Sequence, residues 1–151
     1  MSVEMSAKKI VTDIDFESGA SYNSIDRIKL FRKWDSTKKK LNIIMYYPST
    51  ADAKNDDVTI KRCIDIANFN NYGSISVYNI QEDVFNTSIF DEIIKEGSPI
   101  VLAWGNKLSE SKTAKVVKSF KDTTLLCFGK LKNGNPALPT RLAKETEIIK
   151  F

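Results

Sequence analysis

The chain has 151 residues, enough for one domain with its own core, and its 42% apolar and 28% charged content excludes a disordered protein. The 23 basic and 19 acidic residues leave a formal charge of +4, compatible with a nucleotide or nucleic-acid partner without requiring one. No histidine is present, which removes the commonest general base and the commonest zinc ligand together, so no metal or cofactor is expected.

Cys63 and Cys127 lie far apart, without CxxC spacing and each in an apolar setting, so they read as buried free thiols in a reducing compartment. No run approaches 18 apolar residues, and the N-terminus lacks the apolar core of a signal peptide. A soluble, cytoplasmic protein with no membrane partner is expected.

Taken in order, residues 1–8 are polar and expected to be loose, and residues 9–151 form a single domain. Ile10, Thr12, Ile14 and Phe16 alternate with Lys9, Val11, Asp13 and Asp15, the pattern of an edge strand over 9–16. Residues 19–24 have turn chemistry. A second strand runs from Arg27 through Phe31 to Trp34, with a short helix as the competing reading. Asp35-Ser36-Thr37 then turns into Lys38-Lys39-Lys40, a solvated turn whose alternative is a phosphate-contact patch.

The segment 41–70 is the organising unit. Residues 42–47 form a short apolar and aromatic run ended by Pro48, which predicts a buried strand. Small and hydrogen-bonding residues follow at 48–52. From Val58, the apolar positions Ile60, Cys63, Ile64 and Ala67 define one helix face, with Lys61, Arg62 and Asp65 off it. Asp52, Asp56 and Asp57 cluster closely enough to suggest a metal site, but capping of that helix by Asp56 or Asp57 is the preferred reading. Gly73, after Asn70-Asn71-Tyr72, suits a left-handed stop.

A buried strand over 75–80 comes next, then a polar loop over 81–88. Ser88 can cap a short helix carrying Ile89, Phe90, Ile93 and Ile94. Residues 100–104 give another strand, and 112–120 a helix with Val116, Val117 and Phe120 on one side. Residues 123–128 form the last core strand, and 129–136 a flexible loop. The tail, 147–151, either adds a short strand or docks. Strand and helix thus alternate from 41 to 128, without a helix after the last strand. An α/β domain with three layers is predicted, its central sheet mainly parallel, with right-handed crossovers, helices on both faces and extra N-terminal strands.

Open α/β sheets place ligands where strands end in loops, so the candidate binding residues gather there. Ser49 and Thr50 can hold a phosphate or a base edge, or simply satisfy their own loop. Asp52 can accept from a ribose hydroxyl or base amine. Tyr46 and Tyr47 point to opposite faces, so one of them can stack on a base. Asn79 offers donor and acceptor at a strand end. Trp104 and Asn106 close the neighbouring strand, although core packing is the alternative for Trp104. Arg62 reaches either a phosphate or a surface carboxylate. Lys130, Lys132 and Arg141 lie on one loop and suggest a basic lid. The chain contains no GxGxxG, GxxxxGK[ST], GxSxG or HExxH pattern.

The phrases PSTADA (48–53), DDVTIKRC (56–63), YG (72–73), AWGN (103–106) and GNP (134–136), in that order, resemble the bacterial and phage family called domain of unknown function 1643. The resemblance spans about Tyr22 to Phe151. That family in turn looks like a compact relative of the uracil-DNA glycosylase fold, an analogy of fold and motif order. Two departures stand out. Tyr47 precedes Pro48 where the family usually has asparagine, and Leu138 stands where its late loop usually has histidine. Tyrosine, with a reference pKa of about 10, is a poor base near neutral pH, and leucine donates no hydrogen bond.

The resemblance therefore implies a pocket kept and its catalytic groups lost. The expected function is binding, or sequestration, of a nucleotide-like small molecule at the C-terminal edge of the sheet. The alternative is a glycosylase-like enzyme acting on a modified base, with Asp52 or Asn79 handling water. Nucleic acid and a second copy of the chain stay open as partners, and a protein-partner module is the third reading.

Overall fold

A computed structural model describes residues 17–22, 27–46, 57–80 and 87–151. The elements run β1 (Glu17–Tyr22), β2 (Arg27–Lys33), β3 (Lys40–Met45), α1 (Val58–Phe69), β4 (Ser74–Asn79), α2 (Thr87–Glu96), β5 (Ile100–Leu102), α3 (Glu110–Ser119), β6 (Leu125–Cys127) and β7 (Ile149–Lys150). The seven strands make one sheet in the order β1-β2-β4-β3-β5-β6-β7.

The alternation from 41 to 128 is borne out: β3-α1-β4 and β5-α3-β6 each link neighbouring parallel strands. The sheet is nonetheless mixed. β4, β3, β5 and β6 are parallel, but β1, β2 and β7 run antiparallel to their neighbours, so half of the six pairings are antiparallel. The expected mainly parallel sheet is correct for its centre only. Among the described residues no helix lies between β2 and β3 or between β6 and β7, so neither flank has the crossover helix that usually accompanies parallel pairing.

Strand alternation divides the core in two. Leu41, Ile43 and Met45 of β3 pack with Ile60, Cys63, Ile64, Ile66 and Ala67 of α1. Ile44 turns the other way, toward Phe90 and Ile93 of α2 and toward Val116 of α3 and its C-cap Phe120. Each face of the sheet thus buries its own helix stripe, the arrangement that an apolar run on a strand with both faces covered demands. Leu30 on β2 and Trp34 just after it pack on the α1 side, and Arg32 between them is fully buried and donates from Nη1 to the Phe31 carbonyl.

Local corrections have local causes. The expected edge strand at 9–16 lies outside the described residues, and positions 19–22, expected to turn, belong to β1. Pairing with β2 gives those backbone groups partners that turn chemistry alone does not reveal. α2 begins at Thr87, so Ser88 lies inside it, and Ile94 is exposed. Residues 129–137 form a tight loop rather than a flexible one. Leu131 N–H donates to Asn135 O, Ala137 N–H to Gly129 O, and Lys130 bridges Pro136.

The stop after α1 also differs. Asn71, at φ 72°, is the left-handed residue. Gly73 is required by close approach instead: an added Cβ would lie 2.0 Å from the Asp35 carbonyl oxygen. Asn70, the C-cap of α1, clamps the tail with its side chain. Its Nδ2 donates to the Ile66 and Thr146 carbonyls at 2.8 Å each, and its Oδ1 accepts from Ile148 N–H at 3.0 Å. This explains why the tail reaches β6, where β7 pairs as the predicted short strand.

Candidate functional site

The strand order reverses between β3 and β5: the chain leaves β3 for β4 on one side, then crosses to β5 on the other. Crevices form at such a reversal, because the connections depart in opposite directions. A cleft of about 620 Å³ lies there, bordered by Met45 at the end of β3, Thr59 in the first turn of α1, and Gly105, Asn106 and Lys107 after β5. Leu131, Ala137, Leu138, Thr140, Arg141 and Leu142 complete the described lining.

The sequence builds each border for a physical reason. Asp57 caps α1, accepting the Ile60 N–H at 2.9 Å, and so sets where the helix begins beside the cleft. Such a cap contributes about 1 kcal/mol. Gly105, at φ 60°, turns the chain out of β5; an added Cβ would meet Leu138 Cγ at 2.8 Å. Gly105 N–H donates to the Pro136 carbonyl at 2.7 Å. The AWGN and GNP phrases are therefore two halves of one joint.

Asn135, 3% exposed, tightens that joint by donating from Nδ2 to the Gly105 carbonyl at 3.1 Å, the Leu108 carbonyl at 3.2 Å and Asn106 Oδ1 at 3.3 Å. Asn133 Nδ2 donates to the same Asn106 oxygen at 2.9 Å.

The lining has two characters. Met45, Leu131, Ala137, Leu138 and Leu142 make an apolar wall, while Thr59, Asn106, Lys107, Thr140 and Arg141 supply the polar groups. Among the described lining residues there is no Asp or Glu. Arg141 is exposed and makes no ion pair or hydrogen bond among the described residues. A cleft of this character suits a ligand with an apolar or aromatic body and a negatively charged end.

Of the residues anticipated from the sequence, the structure brings Asn106 and Arg141 together at this cleft. Asn79 stands beside it, in register with Met45, and its buried Oδ1 has no hydrogen-bond partner among the described residues. Tyr47, Ser49, Thr50 and Asp52 lie outside the described residues. Tyr46 packs against the α2–α3 side of the core.

The remaining three residues are elsewhere. Trp104 is fully buried, with its indole N–H donating to Thr113 Oγ1 at 2.9 Å, so it belongs to the core and not to the lining. A large ring after a central strand, with a hydroxyl for its one polar atom, is well placed for packing. Arg62 donates to the Leu142 carbonyl and lies 3.9 Å from Asp65, holding the tail segment against α1. Lys132 is exposed on the turn of the 129–137 loop, and Lys130 sits over the Phe151 ring, 5.3 Å from its centroid; neither lines the cleft.

Sequence reasoning misses Thr59, Lys107, Thr140, Leu131 and Leu142, whereas Leu138 of the leucine wall enters through the family resemblance. Lys107 directly follows AWGN, which was the available signal; the wall residues are spread along an irregular loop with no periodicity to read.

The fold and cleft define a class: an α/β domain with a ligand-sized crevice at the reversal of a central parallel sheet. Residues 27–84 match the family described as protein of unknown function (DUF1643), and the resemblance read in the residues is shown for that stretch. It spans β2, β3, α1 and β4, whereas AWGN and GNP fall beyond it. No curated protein and no solved structure matches the chain.

Both cysteines are free and buried, and burial pushes the Cys127 thiol up, which makes it a poor nucleophile. Among the described residues, no cluster of three potential metal ligands occurs, and no helix is long and apolar enough to cross a membrane.

Proposed function

We propose that this protein binds a nucleotide-like small molecule in the cleft at the C-terminal ends of β3 and β5 and does not turn it over. The observation that carries the reading is the cleft itself: about 620 Å³, at the strand-order reversal, with an apolar wall and the basic residues Lys107 and Arg141 in its lining. That volume falls in the usual range for small-molecule sites, about 300–1,000 Å³. Leu138 supports the absence of turnover, because an aliphatic side chain occupies the lining position for which the family resemblance implies histidine. The domain is read as a three-layer relative of the glycosylase fold, and holding a nucleotide away from other consumers is the role such binding would serve.

The test is a thermal-shift screen of the whole chain against nucleoside mono- and diphosphates, cyclic nucleotides, ADP-ribose and short single- and double-stranded DNA. A ligand present at about 100 times its dissociation constant adds roughly 2.7 kcal/mol, a shift of several degrees for a domain of this size. A shift with one small nucleotide, recovered unchanged after incubation, is the expected result. A salt-sensitive shift with DNA alone, or breakdown of the ligand, would replace this reading with the glycosylase-like enzyme.

A further inference from the structure

We infer that Asn106 is an oriented hydrogen-bond donor of the cleft, held by Asn133 and Asn135, and that with Lys107 and Arg141 it receives the phosphate end of the ligand rather than its base. This inference rests on the binding reading above and adds which end of the molecule is read where.

An asparagine amide is ordinarily ambiguous, since its oxygen and nitrogen look alike. Here chemistry removes the ambiguity. Asn135 turns one side-chain atom toward two backbone carbonyls, those of Gly105 and Leu108, and carbonyls only accept. That atom is therefore nitrogen, and the Asn106 atom 3.3 Å from it must be an oxygen. Asn133 is fixed in the same way: its Oδ1 accepts the Asn135 backbone N–H at 3.0 Å, which leaves its Nδ2 to donate to Asn106. Two donors thus converge on Asn106 Oδ1. Its Nδ2, with two N–H bonds, has no partner among the described residues, and the side chain is exposed in the cleft lining.

The neighbours have the same polarity. Lysine and arginine side chains donate and never accept, and Lys107 and Arg141 both line this cleft. A ligand edge that meets Asn106, Lys107 and Arg141 must be made of acceptors and gains from negative charge. A phosphate monoester meets both conditions; the amine edge of a base meets neither. The base is left for the leucine wall of Leu131, Leu138 and Leu142.

The test measures binding of AMP, UMP, ADP-ribose and inorganic phosphate, and of adenosine and uridine, to the wild type and to Asn106→Asp. Aspartate keeps an oxygen for Asn133 and Asn135, so the joint stays closed while the outward donor becomes a negative acceptor. The expected result is that at least one phosphorylated probe binds the wild type and at least tenfold more weakly to Asn106→Asp, with melting temperatures alike. The unphosphorylated nucleosides should bind the wild type at least tenfold more weakly than that probe. In NMR spectra, the Asn106 side-chain NH2 pair should shift on addition of the bound probe, and the Asn135 pair should hold still.

Should Asn106→Asp fold poorly, Arg141→Gln at an exposed position carries the same expected loss. Equal affinity of the phosphorylated probe for wild type and Asn106→Asp, or a nucleoside as tight as its phosphate, overturns this inference and leaves the binding reading standing. Silence of the wild type toward every small molecule overturns both.

Discussion

The two ends of β3 treat their polar neighbours in opposite ways. At its N-terminal end, Lys40 Nζ and Asn42 Nδ2 both donate to the carboxylate of Glu96, which closes α2. Asn42 itself is fully buried, and its backbone N–H donates to the Pro99 carbonyl. Charge and donors there are spent on one another. At the C-terminal end, Arg141 lines the cleft and makes no ion pair or hydrogen bond among the described residues. A polar group that closes on a neighbour holds the fold, whereas one left open toward a cleft is available to a ligand. Substitutions at the first end should therefore change stability without binding, and those at the second should do the reverse.

Glycines at the two ends give the largest expected contrast. Gly73 accepts the N–H groups of Trp34 and Asp35 at its carbonyl, and a Cβ there would lie 2.0 Å from Asp35 O and 2.9 Å from Lys38 Cβ. Backbone so constrained cannot step aside. Gly73→Ala should cost about 3 kcal/mol, the upper end for overpacking, and lower the melting temperature by roughly 6–12 °C. A calorimetric or circular-dichroism melt checks this; a loss of only a degree or two would show that the turn is not rigid.

Glu96→Ala comes next. It leaves the Asn42 amide buried without its acceptor, a loss of about 1–3 kcal/mol. Lys40, on the surface side of the pair, adds little. Binding at the cleft should be unchanged, and a parallel loss of affinity would break the division between the two ends. The pH dependence has a defined sign. Burial pushes the Glu96 carboxyl up, but hydrogen bonds from Lys40 and Asn42 outweigh it and hold the group below its ordinary 4.5. A group depressed in the folded state stabilises fully above its unfolded pKa and stops doing so as pH falls through the folded value. The melting-temperature gap between wild type and Glu96→Gln should therefore be widest above about pH 4.5 and shrink below it. A gap that stays constant down to pH 3 would exclude the ion pair as its source.

Gly105→Ala should be milder for stability and harder on binding. The positive φ of 60° costs an alanine about 1 kcal/mol, and the obstacle is the Leu138 side chain, which can turn. A drop of roughly 2–4 °C is expected. Leu138 is a wall of the cleft, however, so the displaced side chain should weaken the ligand found by thermal shift by tenfold or more. A drop as large as that of Gly73→Ala, with affinity intact, would erase the distinction.

How far the sequence reveals all this depends on periodicity. α1 could be read almost residue by residue, because Ile60, Cys63, Ile64 and Ala67 repeat at helical spacing and Asp57 is a recognisable cap. The parallel centre followed from strand–helix alternation. The antiparallel strand β1 did not, because Ser18, Gly19, Ala20 and Ser21 carry no apolar alternation and form a strand by pairing with β2. At the site, Asn106 and Arg141 were legible as polar residues at strand and loop ends. Arg62 and Trp104 were misleading for opposite reasons. The cation is taken by a backbone carbonyl 80 positions away, and the indole N–H by Thr113. Neither partner can be inferred from residue type.

Arg141→Ala is the smallest expected change in stability and the most direct test of what open groups are for. The side chain is exposed and makes no ion pair or hydrogen bond among the described residues, so its removal should leave the stability within about 0.5 kcal/mol of wild type. If it contacts a phosphate, the lost charge-assisted hydrogen bond is worth about 1.5–3 kcal/mol, or roughly ten- to hundredfold in affinity. Arg141→Lys should recover only part of this, since an ammonium carries the charge without the planar two-donor face. The loss should also fade as salt is raised, because a surface charge is screened over about 10 Å at 0.1 M. A stable Arg141→Ala protein with unaltered, salt-insensitive affinity would mean that Arg141 merely solvates the rim, and that the ligand is held without it.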